Sequence, residues 1–335
     1  MVKDKLDRPF RDLRISVTDR CNFRCVYCMP AEVYGESYQF LPKGDLLSFE
    51  EITRLTKIFV GLGAVKVRLT GGEPLVRKEL EKLVLQLSQI KGVSDLAMTT
   101  NGHLLSQKAD ALRDAGLDRV SISLDSLDDA IFRKMNGRKF GTASVLEGIA
   151  AAEKAGLTPI KINAVIQRGV NHHSVLEMAK YFKERGHTLR LIEYMDVGTR
   201  NGWKLGEVIP AKEIVAIIDA EMPLEPVESG YPGEVASRFR YRDGSSEVGI
   251  IASVTEPFCG NCSRLRLSPD GRIYTCLFAT NGSDLRRPLR SGDSDDEIKA
   301  LVVGVWHRRE DRYSEERASL TEPVAEKVEM YHIGG

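Results

Sequence analysis

Residues 13–28 read Leu13-Arg14-Ile15-Ser16-Val17-Thr18-Asp19-Arg20-Cys21-Asn22-Phe23-Arg24-Cys25-Val26-Tyr27-Cys28. The β-rich start, Leu13 to Val17, predicts a strand that runs directly into three closely spaced cysteines. Three thiolates at this spacing hold three corners of a cubic iron–sulfur cluster. Electron-transfer clusters of that shape take four cysteines, so one iron is left open, and an open iron is where a small molecule coordinates. The competing reading is structural zinc, which wants a fourth Cys or His close by. None follows Cys28 within the next seventy residues.

Composition bounds the rest. With 335 residues the chain accommodates one large domain and a smaller one. Lys plus Arg and Asp plus Glu are each 48, so the net charge is zero and long-range attraction to nucleic acid has no support. Anions must be bound by a local cluster of cations. Residues 1–10 are polar and charged, and no apolar run approaches a membrane span or a signal sequence, which predicts a soluble, cytoplasmic protein. The six cysteines fall into two triplets, leaving none for a disulfide.

Outward from residue 28, β-rich runs alternate with helical patterns. Strands are predicted at 13–17, 66–70, 95–99, 119–124, 160–165 and 189–195, and helices at 48–62, 78–89, 106–115, 142–155 and 174–185. The first helix opens on a capping box, Ser48 with Glu51. Gly63, Gly116, Gly156 and Gly186 each stand where a left-handed helix end is wanted. Six β-α units in succession demand a parallel α/β sheet, either a barrel or doubly wound.

Alternate strand residues carry a second message. Lys66, Arg68 and Thr70 share one face of a strand, Ser121, Ser123 and Asp125 another, Lys161 and Asn163 a third, and Arg190 comes early in the sixth. Against helices such residues would be buried badly, so the set predicts a cationic, hydrogen-bonding interior. Between the second strand and its helix lies Thr70-Gly71-Gly72-Glu73-Pro74, whose glycines let backbone approach a ligand closely at the strand's carboxyl end.

Beyond Met195 the pattern changes. A polar linker leads to a helix at 211–219, then β runs at 237–241 and 247–251. Next comes Cys259-Gly260-Asn261-Cys262-Ser263-Arg264-Leu265-Arg266, then Ser268-Pro269-Asp270-Gly271 and, after a further alternating run, Cys276. If Pro269 and Asp270 are central in a tight turn, Cys262 comes nearly opposite Cys276 and three thiolates converge. Spacing alone leaves a second open cluster and a zinc site completed by a distant His equally open.

The first triplet, with Tyr27 just before its third cysteine and Gly71-Gly72-Glu73-Pro74 some forty residues later, resembles the radical S-adenosylmethionine superfamily. That resemblance implies a partial (β/α)6 TIM-like barrel over residues 1–198 with a 4Fe-4S cluster on Cys21, Cys25 and Cys28. S-adenosylmethionine would chelate the open iron and contact Tyr27, Gly72, Thr99, Ser123 and Met195. Two triplets, with Arg264 and Arg266 after Cys262 and Gly334-Gly335 at the end, resemble more narrowly the molybdenum cofactor biosynthesis protein A family. Its members imply a C-terminal α+β domain over 199–335 and a second 4Fe-4S cluster on Cys259, Cys262 and Cys276 whose free iron takes the guanine base of GTP. Phosphate and ribose contacts would come from Arg14, Lys66, Arg68, Lys161, Arg190, Arg264 and Arg266. Gly334 and Gly335, which otherwise read as a frayed tail, would reach the active site, and they and Arg14 are the candidates for a direct catalytic role beyond the clusters.

The implied reaction opens molybdenum cofactor biosynthesis. A deoxyadenosyl radical takes hydrogen from ribose C3′, C3′ attacks C8 of guanine, and an electron and a proton complete (8S)-3′,8-cyclo-7,8-dihydroguanosine 5′-triphosphate. The implied partners are a flavodoxin-like or equivalent electron donor, a cyclic pyranopterin monophosphate synthase downstream and a second copy in a homodimer, with no nucleic acid and no membrane. Two rivals stand beside this reading. A peptide-modifying two-cluster relative would not need seven cations aimed at phosphates, and an iron–sulfur electron carrier has no use for the Gly71-Gly72 loop.

Overall fold

The computed structural model describes residues 2–319 and 326–335, so Met1 and residues 320–325 of the expected domains lie outside the described residues. Six strands follow the predicted order: β1 (Asp12–Ser16), β2 (Lys66–Thr70), β3 (Asp95–Thr100), β4 (Arg119–Ser123), β5 (Lys161–Ile166) and β6 (Thr188–Glu193). They pair parallel in sequence order, each with the next. Between them run α1 (Phe49–Leu62), α2 (Leu80–Ser88), α3 (Ala109–Asp114), α4 (Asp129–Asn136), α5 (Ala143–Lys154) and α6 (Val175–Glu184). The Ser48–Glu51 capping box closes in both directions, and Gly63, Gly116, Gly156 and Gly186 all have positive φ after their helices. Val67, Leu69, Ile122 and Ile162 point outward into one apolar core with Leu55, Phe59 and Leu83 of the helix layer.

The rest of the chain joins the same sheet at both ends. After α7 (Ala211–Asp219) come β7 (Leu224–Val227), β8 (Ser237–Tyr241) and β9 (Glu247–Ile251), and β9 runs parallel to β6. Farther on, β10 (Arg264–Leu267) runs parallel to β1 and carries β11 (Arg272–Tyr274) and β12 (Ser283–Asp284) antiparallel beyond it. The order is β12-β11-β10-β1-β2-β3-β4-β5-β6-β9-β8-β7, whose end strands do not pair among the described residues, so the barrel is partial. Helices α8 (Arg286–Ser291), α9 (Asp295–His307), α10 (Tyr313–Glu316) and α11 (Met330–Ile333) complete the chain. No helix of the described residues is long and apolar enough to cross a membrane.

One register expectation needs correction. Arg266 pairs with Tyr274 and Leu267 with Ile273, which shifts the hairpin by one residue and places Cys262 ahead of the ladder. The cause is a wider turn: the Ser268 amide donates to the Arg272 carbonyl, the Gly271 amide to the Ser268 carbonyl, and Gly271 takes φ 82°.

Candidate active site

Strand register assembles the cations into rungs across the barrel interior. One rung runs Arg264–Asp12–Lys66–Asp95 over β10, β1, β2 and β3. The next runs Arg266–Arg14–Arg68, three arginines side by side on adjacent strands, and continues through Ala97 to Arg119. Like charges opposite one another on strands destabilise a sheet. Arg190 comes in beside Asn163 on the far wall, and Gly249 opposite it gives room, since a Cβ there would press Arg190 Cγ at 3.2 Å. All of these residues except Gly249 line one cavity of about 280 Å³.

The crowding shows in their acidity. Burial first, then Arg266, drives Arg14 well below its ordinary value; burial and Arg119 take Arg68 down to about 10, burial and Arg264 take Arg266 to about 10, and burial and Arg68 take Arg190 to about 9. Guanidinium groups stay protonated at neutral pH even so, and the shifts measure how strongly the cavity calls for anions. Asp95 forms its ion pair with Arg119, at 2.6 Å, and offsets Arg68 and Lys66 more weakly. Among the described residues Arg119 Nη1, Arg190 Nε and Asn163 Oδ1 are buried without a hydrogen-bond partner.

A smaller cavity of about 120 Å³ opens beside the first, and Tyr27, Thr99, Ser123, Asp125, Met330 and Gly335 line both. Cys21, Cys25 and Cys28 face the smaller one together with Gly71 and Gly72. The glycine loop zips onto the backbone that leads to Cys21: the Gly72 amide donates to Thr18 O and the Glu73 amide to Arg20 O, both at 2.8 Å. Buried Glu73 is pinned at the end of β3 by the Thr100 hydroxyl and the Asn101 amide, both at 2.7 Å, and by the Leu75 amide at 3.0 Å. Burial lifts its carboxyl to about 7 against those three hydrogen bonds. Tyr27 donates to Asp125 Oδ2 at 2.8 Å, which orients its ring on the wall between the cavities.

The two triplets differ electrically. Burial pushes Cys21 up to about 12 and Cys25 and Cys28 upward as well, so only a metal would ionise them. For Cys262, Arg264 and Arg309 outweigh burial and bring the thiol down to about 6, while burial leaves Cys276 at about 11. Cys259, Cys262 and Cys276 all line the larger cavity. Among the described residues neither cavity wall carries a His, and no set of Cys, His, Asp and Glu is gathered for a single metal ion. Each donor set is three sulfurs on a cavity wall, which fits a cubic cluster with one open iron.

Most expected site residues meet here, with three qualifications. Lys161 is not among the residues lining the cavity; it is half-buried on the same face of β5 as the wall residues Asn163 and Val165, taken down to about 8 by burial and then by Arg190. Met195 lines the larger cavity rather than the cysteine cavity. Gly335 lines both cavities, whereas Gly334 stands behind it, its carbonyl accepting from Arg266 Nη1. Arg119 and Arg309 were not expected. Arg119 shares strand parity with Ser121 and Ser123 and was within reach of the sequence; Arg309 follows α9 with no local signal.

Comparisons with known proteins identify the family. The radical SAM superfamily model matches residues 15–182, and the Molybdenum Cofactor Synthesis C model matches residues 187–315. A GTP 3′,8-cyclase of Acidothermus cellulolyticus is 51% identical over 358 aligned residues, covering 100% of this chain and 99% of that protein. One of Staphylococcus aureus strain JH9 is 46% identical over 337, again covering 100% and 99%. Among solved structures, Streptococcus suis SuiB bound to S-adenosylmethionine has a TM-score of 0.61 at 14% identity, covering 88% of this chain and 68% of that one, a likeness of fold alone. With two such relatives aligned from end to end, the chain belongs to the GTP 3′,8-cyclase family of the radical SAM superfamily.

Proposed function

We propose that this radical SAM GTP 3′,8-cyclase holds GTP in the larger cavity, between an S-adenosylmethionine-bearing 4Fe-4S cluster on Cys21, Cys25 and Cys28 and a second on Cys259, Cys262 and Cys276. The observation that carries the reading is the row Arg266–Arg14–Arg68, three arginines in register with no carboxylate between them. A triphosphate brings about four negative charges, and a desolvated fan of guanidinium groups binds it far better than it would a peptide. In this reading Lys66, Arg190 and Arg264 flank the phosphates, while Lys161 adds charge from the same face of β5 as Asn163.

When bound, the clusters and S-adenosylmethionine supply the hydrogen abstraction and electron that let ribose C3′ join C8 of guanine. The chain supplies position. Gly71 and Gly72 offer bare backbone to the cofactor's methionine end, Thr99 and Ser123 offer hydroxyls where the cavities meet, and Tyr27, steadied by Asp125, takes the adenine. Gly335 closes the same junction. Residues 1–198 thus serve the cofactor and 199–335 complete the nucleotide site. A flavodoxin-like electron donor, a homodimeric state, a cytoplasmic setting and delivery of the product to a cyclic pyranopterin monophosphate synthase belong to the same reading.

The decisive assay is anaerobic reconstitution with GTP, S-adenosylmethionine and reductant, in which the cyclised nucleotide accumulates alongside deoxyadenosine. Deoxyadenosine without cyclised nucleotide would remove the substrate assignment. Lys161 provides an independent check. Its folded value of about 8 lies below the ordinary 10.5, and a bound triphosphate raises it again. The complex therefore holds more protons than its parts in that window, so affinity is full below about pH 8 and declines as pH rises above it. Calorimetry near pH 8.5 in buffers of different ionisation enthalpy should report proton uptake, which Lys161→Met should abolish; equal heats in all buffers would refute the linkage.

A further inference from the structure

Against the second cysteine triplet lies a buried ionic network whose Arg309 and Asp311 edge onto the larger cavity. Arg309 is 4% exposed, and its three nitrogens are all engaged. Nη2 donates to Cys262 Sγ at 3.1 Å, Nη1 to the Cys262 carbonyl at 2.6 Å and to Asp4 Oδ2 at 3.3 Å, and Nε to Asp311 Oδ2 at 3.2 Å. The guanidinium also lies over Trp306, 4.6 Å from the ring centroid. Asp4 is held in turn by Arg8 Nε at 2.6 Å and by the amides of Leu6 and Arg8. Arg8 Nη1 donates to the carbonyls of Cys259 and Asp311, both at 2.9 Å. Two cysteines of the triplet are thereby tied to residues near the start of the chain, 251 positions away for Arg8 and Cys259.

Arg264 also reaches Cys262 Sγ, at 3.2 Å, but it stands on the cationic rung beside Asp12, where a phosphate competes for it. Arg309 also edges that cavity, but each of its three nitrogens already has a protein partner. We infer that Arg309 sets the reduction potential of the second cluster through its charged hydrogen bond to Cys262, with Asp4 and Arg8 as the positioning residues that lock it there. Reduction adds an electron to a cube already made anionic by its thiolates, and part of that charge appears on the ligand sulfurs. A desolvated cation bonded to one sulfur stabilises the reduced form more than the oxidised form and raises the potential. The inference rests on the second triplet holding a cluster, as proposed above.

The test uses the full chain carrying Cys21→Ser, Cys25→Ser and Cys28→Ser, reconstituted anaerobically so that one cluster titrates, with the midpoint read by EPR-monitored potentiometry. Arg309→Gln should lower the midpoint, and Arg309→Lys, which keeps the charge and loses the fork, should recover part of it. An Arg309→Gln midpoint equal to the parent's at equal iron content overturns the inference and leaves the cluster assignment standing. If Arg309→Gln holds no iron, Arg309→Lys decides: a lowered midpoint supports the inference and an unchanged one overturns it. A parent that assembles no iron–sulfur cluster overturns both.

Discussion

Gly72→Ala is expected to slow S-adenosylmethionine cleavage by about two decades while leaving the second triplet able to hold iron. An alanine Cβ at this position would sit 2.4 Å from the Arg20 carbonyl oxygen, 2.6 Å from its carbon and 2.9 Å from the Asp19 oxygen. All three are backbone atoms, so no side chain can swing aside. Relief requires the glycine loop to part from residues 18–20, yet those residues lead straight into Cys21. The loop cannot retreat as a body, because buried Glu73 is bonded to the end of β3. Overpacking of this kind costs about 1–3 kcal/mol, and an ångström of misplacement between reacting partners costs about a hundredfold in rate. Gly61 in α1 is the control, with nothing within 4 Å of its would-be Cβ, so Gly61→Ala should leave activity unchanged. Deoxyadenosine formation measured anaerobically in both variants separates them, and a wild-type rate in Gly72→Ala would show that the loop does not position the cofactor.

That steric demand was partly legible in the sequence. Paired glycines at a strand end announce a close approach, but which backbone they approach is a tertiary fact. The strands were easier. Lys66, Arg68, Ser121 and Asn163 recur at a period of two, and the strand period alone puts them on one face, so the polar interior followed before any pairing was known. The rungs did not follow, because the Arg266–Arg14–Arg68 row depends on β10 joining β1 from about 250 residues away, and no local pattern encodes that partnership. The C-terminal region therefore read as a separate block, whereas its strands extend both ends of one sheet. Short elements were missed for local reasons. β7 contains Pro226 and survives as a strand because it ends the sheet, where the missing donor costs least. α4 is brief, with polar and apolar residues in equal number, while α9 carries a capping box, Ser294 with Glu297, that was available to be read. Arg309 lay beyond reach, since what marks it is a sulfur 47 positions earlier in the chain.

The middle arginine of the row offers the sharpest test, because stability and function should move in opposite directions when it is replaced. Arg14 is flanked in register by Arg266 on one strand and Arg68 on the other; Asp12 offsets Arg14, and Asp95 and Asp12 offset Arg68. In the ligand-free protein, Arg14→Met removes a desolvated like charge and keeps a flexible chain of similar length. Substitutions that replace buried charge by apolar volume are commonly stabilising, here on the order of 1 kcal/mol, or about one to two degrees in Tm for a chain this long. With GTP the sign reverses. Loss of one buried, hydrogen-bonded partner of an anion costs about 2–5 kcal/mol, which lowers affinity by about one and a half to three and a half decades. Scanning calorimetry of the cluster-loaded protein without nucleotide, paired with GTP titration, reads both quantities on one preparation. A variant that is less stable and still binds GTP normally would make Arg14 a structural residue. A variant more stable without nucleotide and blind to GTP would mean that the row is kept, against its own electrostatic cost, for the triphosphate.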